Sequence, residues 1–171
     1  MRQAIAGVAP PEVQEVTVMT VWPTLGASGM GRWWGRMYAI KAGIRILGIP
    51  VTVGRLTALA SIPLIVPPFF LSIAPGLARR YRLTNRRVII ERQQFSGKYV
   101  DEASVPLDKF DQIEVVELPG QAWYKAGDLL FRDGATETFR LAGVSRPETF
   151  RVTCMKARNS FVGVQAAMAN S

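Results

Sequence analysis

Three sets of acidic residues are the first candidates for chemistry: Asp101-Glu102, Asp108 with Asp111, and Glu114 with Glu117. Closely spaced carboxylates are what general acid–base work or a hard-cation site requires. Asp108 and Asp111 are spaced to share one face of a helical turn. Against this, Asp108-Lys109 reads as a turn signal between strand-like runs, where aspartate caps backbone donors. Carboxylates on the surface of a neutral domain are also ordinary background. The chain has no histidine and a single cysteine, Cys154. This removes Ser-His-Asp and Cys-His catalysis, an internal disulfide, Cys-based zinc clusters and histidine-ligated metals. No Gly-rich phosphate loop or nucleophile–base pair is visible. The expectation is a chain that is not an enzyme, with no catalytic, cofactor-binding or metal-binding residues and no cofactor.

The remaining polar chemistry is cationic. The net charge is +8 over 171 residues, and its distribution matters more than its size. Residues 31–90 hold ten Lys or Arg and no Asp or Glu, whereas residues 91–171 hold ten basic and eleven acidic residues. Nucleic-acid binders usually carry their basic surface on the folded domain itself. Here the basic residues flank an apolar stretch, a pattern that favours a membrane surface and argues against nucleic acid. Arg79, Arg80, Arg82, Arg86 and Arg87 are candidate contacts for anionic lipid headgroups, each contributing on the order of 1 kcal/mol near such a surface. The same arginines also serve as a topology signal that recognises nothing in particular. Trp33, Trp34 and Tyr38, set among Arg32, Arg36 and Lys41, have the composition of a membrane–water interface. An amphipathic helix packed on the domain is the alternative. A second aromatic pair, Trp123 and Tyr124, lies in the loop Gly120–Lys125 and is a candidate partner contact, or else part of the core.

These residues need elements to position them. Met1–Pro10 does not read as a signal peptide, because its apolar stretch is short and prolines follow at Pro10 and Pro11. Residues 1–37 read as an irregular arm and interfacial segment in which Val16–Trp22 has the pattern of an edge strand, with Gly26, Gly29 and Gly31 as punctuation. Residues 38–79 read as the membrane segment. Leu56–Ala78 is a run of 23 uncharged residues. As one helix it would reach roughly 34 Å against a hydrocarbon core of about 30 Å. Pro63, Pro67, Pro68 and Pro75 disfavour a straight helix, so a re-entrant segment is the rival to a full span. Ile40–Gly54 is apolar but carries Lys41, Arg45 and Pro50. Both flanks of the whole stretch are basic, and basic flanks favour one side of the membrane. A hairpin with a short first leg and Arg55 at its tip satisfies that.

From Arg80 the texture changes to short strands. Tyr81–Thr84 and Val88–Arg92 flank a turn at Asn85-Arg86. Tyr99–Pro106, Gln112–Leu118, Asp128–Arg132 and Thr136–Leu141 follow, separated by Gly- and Asp-containing turns. Ser145-Arg146-Pro147-Glu148 then has the form of a capping box with Ser145 as N-cap. Phe150, Cys154, Ala157, Phe161, Val164 and Met168 recur at helical spacing, with Cys154 as a small core residue. Gly163 weakens the far end. Residues 80–160 therefore read as an α+β, mainly β, domain capped by a C-terminal helix, with 161–171 as a tail.

The local sequence resembles a family. Tyr81-Arg82-Leu83-Thr84-Asn85-Arg86-Arg87 is similar to the opening hairpin of bacterial membrane-associated pleckstrin-homology (PH)-like domains, which typically reads Y-x-L-T-N-x-R. Val105–Val115 resembles the family's I-P-L-x-x-I-x-x-V segment, Gly127-Asp128 its Gly-Asp turn, and Arg146–Phe150 its helix start. The likeness covers about Arg80–Arg158. It implies a small PH-like barrel plugged by the terminal helix, next to a transmembrane hairpin, at the cytoplasmic face of the bacterial inner membrane. The present chain departs from the family in its short, charged first leg. Fold does not imply ligand. The functional expectation is a membrane-anchored scaffold or binding module, contacting lipid headgroups nonspecifically and offering its β domain to a protein or lipid partner. The alternative is an accessory subunit of a larger membrane complex.

Overall fold

The computed structural model describes residues 15–46, 49–74 and 76–169. It is an α+β chain of mostly antiparallel sheets with a C-terminal helix. The first strand, β1 (Thr17–Val21), lies at the edge of a four-stranded sheet, antiparallel to β4 (Arg79–Thr84), which pairs in turn with β5 (Arg87–Gln93) and β6 (Tyr99–Pro106). The second sheet is three-stranded: β7 (Gln112–Val116), β8 (Ala126–Asp133) and β9 (Thr136–Ser145). A bridge between Pro23 and Val144 joins the end of β1 to β9, so the two sheets approach closure on that side. The edge-strand pattern of Val16–Trp22 is met by β1, at Thr17–Val21. This stretch is part of the β domain although 57 residues of sequence separate its end from β4. Residues 1–14 of the arm lie outside the described residues.

The first hairpin shows why β1 is recruited. Thr84 Oγ1 accepts from the backbone N–H of Arg86 (3.2 Å) and Arg87 (3.0 Å), which tightens the turn, and donates to Glu15 at 2.8 Å. Asn85 takes the Val16 N–H on its Oδ1 at 3.0 Å, while its own N–H donates to the Val16 carbonyl at 3.1 Å. Arg87 grips both oxygens of Glu15 at 2.9 and 3.1 Å. Tyr81 crosses to the other sheet, its hydroxyl donating to the Ala142 carbonyl at 2.9 Å. The residues of the opening motif thus latch the first strand and the second sheet onto this hairpin.

Inward residues of both sheets and one stripe of the terminal helix form the core. Leu83, Val88, Leu107, Phe131, Leu141 and Phe150 are buried there, with Phe110 edge-on to Phe131. The terminal helix α4 spans Pro147–Ala169 and packs on β7 and β8. Two expectations are corrected here. Ser145 is the last residue of β9 and not the N-cap. Proline takes the first helical position, where its missing N–H is harmless, and Glu148 pairs with Arg151 at 2.7 Å. Residues 161–169 continue the helix, so Gly163 does not end it and the tail is not separate. Cys154 is fully buried, and burial pushes its thiol well above the ordinary range.

The segment between β1 and β4 differs most from expectation. Gly29 and Gly31 are not punctuation but open α1 (Gly29–Tyr38), whose N-cap Ser28 accepts from Gly31 at 3.0 Å. The expected first membrane leg is a β-hairpin, β2 (Gly43–Ile46) with β3 (Ile49–Thr52). Its β-branched residues suit strands, and Pro50 is tolerated because a two-stranded ribbon consists only of edges. Arg55 sits in the first turn of α2 (Val53–Ala60), not at a tip. The uncharged run is also broken, at Ser61, before α3 (Ile62–Ile73). Pro63 is accommodated in the first turn of α3, where an N–H has no helical partner in any case. Among the described residues no helix is long and apolar enough to cross a membrane. With 12 residues, α3 reaches only about 18 Å. Pro75 lies outside the described residues.

Candidate functional site

The aromatic residues expected at two separate sites converge. Trp33 and Trp34 meet edge-on at 4.8 Å, Trp34 stacks on Tyr38 at 5.9 Å, and Tyr38 meets Trp123 at 5.4 Å. Helical spacing places Trp34 and Tyr38 on one face of α1. A close approach of backbones brings Trp123 to that face. Gly35 packs against Gly120, where an added Cβ would sit 2.1 Å from the Gly120 carbonyl oxygen. Gly120 itself has φ +94°, and a Cβ there would meet the Arg32 carbonyl at 2.0 Å. Only glycine fits at either position. Arg36 reaches the Pro119 carbonyl at 3.4 Å, and Tyr124 donates to the Gly31 carbonyl at 3.0 Å. Tyr38 is only 6 % exposed and shares a short hydrogen bond with Ser61, so it ties α1 to the α2–α3 break. Trp33, in contrast, is 53 % exposed, and Trp123 is exposed as well.

Beside this cluster, α2 and α3 present carbon to the outside. Leu56, Leu59, Ile62, Leu64, Phe69 and Phe70 are all exposed large apolar residues. The described portion of α3 carries no charged residue, and the charges nearest in sequence are basic: Arg55 at the start of α2 and Arg79 at the start of β4. Monomeric proteins rarely expose contiguous apolar surface of this kind without a use for it.

The arginines proposed for headgroups are on β4 and β5, and carboxylates already face most of them. Arg79 meets Glu102 at 2.8 Å. Arg80 pairs with buried Glu91 and lies 3.6 Å over the ring of Tyr99. Arg82 reaches Glu91 at 2.7 Å. Arg87 holds Asp101 at 3.2 Å as well as Glu15. The Arg87 hydrogen bond holds the Glu15 carboxyl below its ordinary range against the opposing effect of burial, and Glu15 raises Arg87 in return. Arg86, in the turn between β4 and β5, is half-buried. An anionic headgroup at these positions has to compete with the protein's own acids.

Most of the acidic residues singled out in the sequence face basic side chains. Asp101 and Glu102 serve the ion pairs above, Asp108 lies near Lys109 at 3.9 Å, and Glu114 meets Arg132 at 3.0 Å. Among the described residues no group of His, Cys, Asp or Glu is placed to hold a metal ion.

Two features were missed in the sequence. Asp128 is a buried hub: it accepts from Gln121 (2.6 Å), the Gly143 N–H (2.9 Å) and both Arg140 nitrogens (2.8 and 3.1 Å). Burial alone would raise its pKa. The bonds from Gln121, Gly143 and Arg140 outweigh that and hold the carboxyl below its usual range. Gln121 also donates to the Gly26 carbonyl at 3.2 Å, tying the 22–28 linker to the second sheet. A Gly-Asp pair entering a strand was the only local sign. The other feature is Phe95, 88 % exposed at the tip of the β5–β6 hairpin. Comparison with family models, curated proteins and solved structures yields no match to this chain.

Proposed function

We propose that this chain is a non-catalytic, membrane-anchored binding module with a PH-like β domain, held at the cytoplasmic face of a bacterial inner membrane. The observation that carries the reading is the placement of an exposed apolar pair of helices, α2 and α3, in the insertion between β1 and β4. The 4 + 3 arrangement of antiparallel strands with a C-terminal helix against the core supports the PH-like part. A helix of 12 residues is matched to the depth of one leaflet, about 15 Å, and not to a full hydrocarbon core of about 30 Å. In this reading α2–α3 enters one leaflet, with Trp33 and Trp123 at the headgroup level, where amphipathic rings are favoured. The β domain then offers its strands, loops or helix to a protein or lipid partner.

Flotation of the full chain with vesicles tests the anchor. Leu64→Glu with Phe70→Glu places two charges on the exposed face and should abolish flotation, while circular dichroism stays native. Flotation equal to wild type would remove the reading. The second reading, an accessory subunit of a larger membrane complex, is favoured by Pro67 and Pro68 in the interior of α3, because helical neighbours satisfy carbonyls that proline leaves without a donor. Recovery from mild detergent in one large defined assembly, and not alone, selects it.

A further inference from the structure

We propose that the cleft between the β domain and α3 is a lipid-binding site that takes one acyl chain of a phospholipid from the adjoining leaflet. The inference rests on the membrane-anchored reading above and assigns a ligand class to a place that reading leaves empty. The cleft has a volume of about 870 Å³, within the range of sites for small organic ligands. Trp22, Met30, Phe69, Leu77, Tyr99 and Tyr124 line it, so its walls come from the linker after β1, from α1, from α3 and from the β domain.

Three observations point to an acyl chain. First, Trp22, Met30, Phe69 and Leu77 are all exposed large apolar residues, so the walls are carbon left uncovered. Second, the hydroxyl-bearing side chains of the linker and the nearby loop spend their polar atoms inside the protein. Thr24 donates to the Gly143 carbonyl (3.1 Å), Ser28 to the Leu25 carbonyl (2.9 Å) and Tyr124 to the Gly31 carbonyl (3.0 Å). Three of the four hydroxyl-bearing side chains in the described lining thus spend their donor inside the protein, which disfavours a sugar, nucleotide or peptide. Third, Phe69 belongs to both the apolar helix and the cleft, so a lipid already lying along α3 reaches the cleft sideways without its chain crossing water. Among the described residues of the lining the one cation is Arg79. Its side chain is 51 % exposed, with Glu102 bonded to Nη2. A guanidinium has five donors, so Arg79 can meet a phosphate at the rim while Glu102 stays in place.

The test uses the full chain on vesicles of mixed zwitterionic and anionic phospholipid, with a photoactivatable diazirine at mid-chain in a fraction of the lipid. Cross-linked peptides are mapped. Adducts on the peptides carrying Trp22, Met30 and Tyr99, which lie outside α2 and α3, are expected. In Met30→Asp/Leu77→Asp, those adducts should fall at least about tenfold relative to adducts on Leu59, Leu64 and Phe70, since a carboxylate in an apolar cleft repels both chain and phosphate. Adducts confined to α2 and α3 would overturn the cleft while leaving the anchor intact. Unchanged adducts at Trp22 and Tyr99 in the double variant, or a co-purifying polypeptide cross-linked there in place of lipid, would also overturn it. Failure of the wild-type chain to float would remove the anchor itself, and the cleft proposal with it.

Discussion

Asp128→Ala is the perturbation whose cost follows most directly from the geometry. The carboxylate is buried and accepts from three groups, and deletion affects them unequally. The Gly143 N–H is buried and, among the described residues, bonds to Asp128 alone, so it takes most of a desolvation penalty of about 1–3 kcal/mol. Gln121 is fully buried but keeps the Gly26 carbonyl at 3.2 Å, so it loses less. Arg140 has a side chain 43 % exposed and returns to water, so its share is small. The expected total is about 3 kcal/mol. For a chain of this size that lowers Tm by roughly 6–12 °C. Thermal melts and urea titrations of Asp128→Ala beside Arg140→Ala check this, and the latter should lose under about 1 kcal/mol. Equal losses in the two variants, or an Asp128→Ala loss below about 0.5 kcal/mol, would refute the hub. The pH dependence has a definite sign. The folded pKa of Asp128 lies below its unfolded value, so the stabilisation is complete above the unfolded value of about 3.9 and drains away as pH falls through the folded one. Asp128→Asn should flatten that part of the acid-denaturation profile.

Three further outcomes follow from the same contacts. Gly35→Ala forces a Cβ against the Gly120 carbonyl and should cost about 1–3 kcal/mol; tryptophan fluorescence should shift as α1 leaves Trp123. Cys154 should resist maleimide in the native chain and label fully in urea, because burial raises its thiol pKa and blocks access. Tyr38→Phe removes the hydrogen bond to Ser61 and should cost about 0.5–1.5 kcal/mol in urea titration while the ring contacts to Trp34 and Trp123 persist.

What the sequence determined by itself was local. A strand-length run between turn signals marked Tyr99–Pro106 at the bounds observed for β6, and glycine turns separated later strands, because strand length and positive φ are properties of a few adjacent residues. The apolar stripe through Phe150 and Cys154 marked the terminal helix in the same way. Tertiary structure decided the rest. Val16–Trp22 has the pattern of a strand, but only Asn85, Thr84 and Arg87 give it a sheet to join. The uncharged run after Arg55 is apolar enough for one long helix, yet hydropathy does not record where a helix breaks, and the break falls at Ser61 where Tyr38 meets it. The arginines read as a uniform basic patch until Glu15, Glu91, Asp101 and Glu102 are brought opposite them. Tyr38 and Trp123 lie 85 positions apart and touch because Gly35 and Gly120 let two backbones approach. Charge, hydropathy and period are carried by neighbours along the chain, whereas a partner is chosen by whatever the fold places across a few ångströms of space.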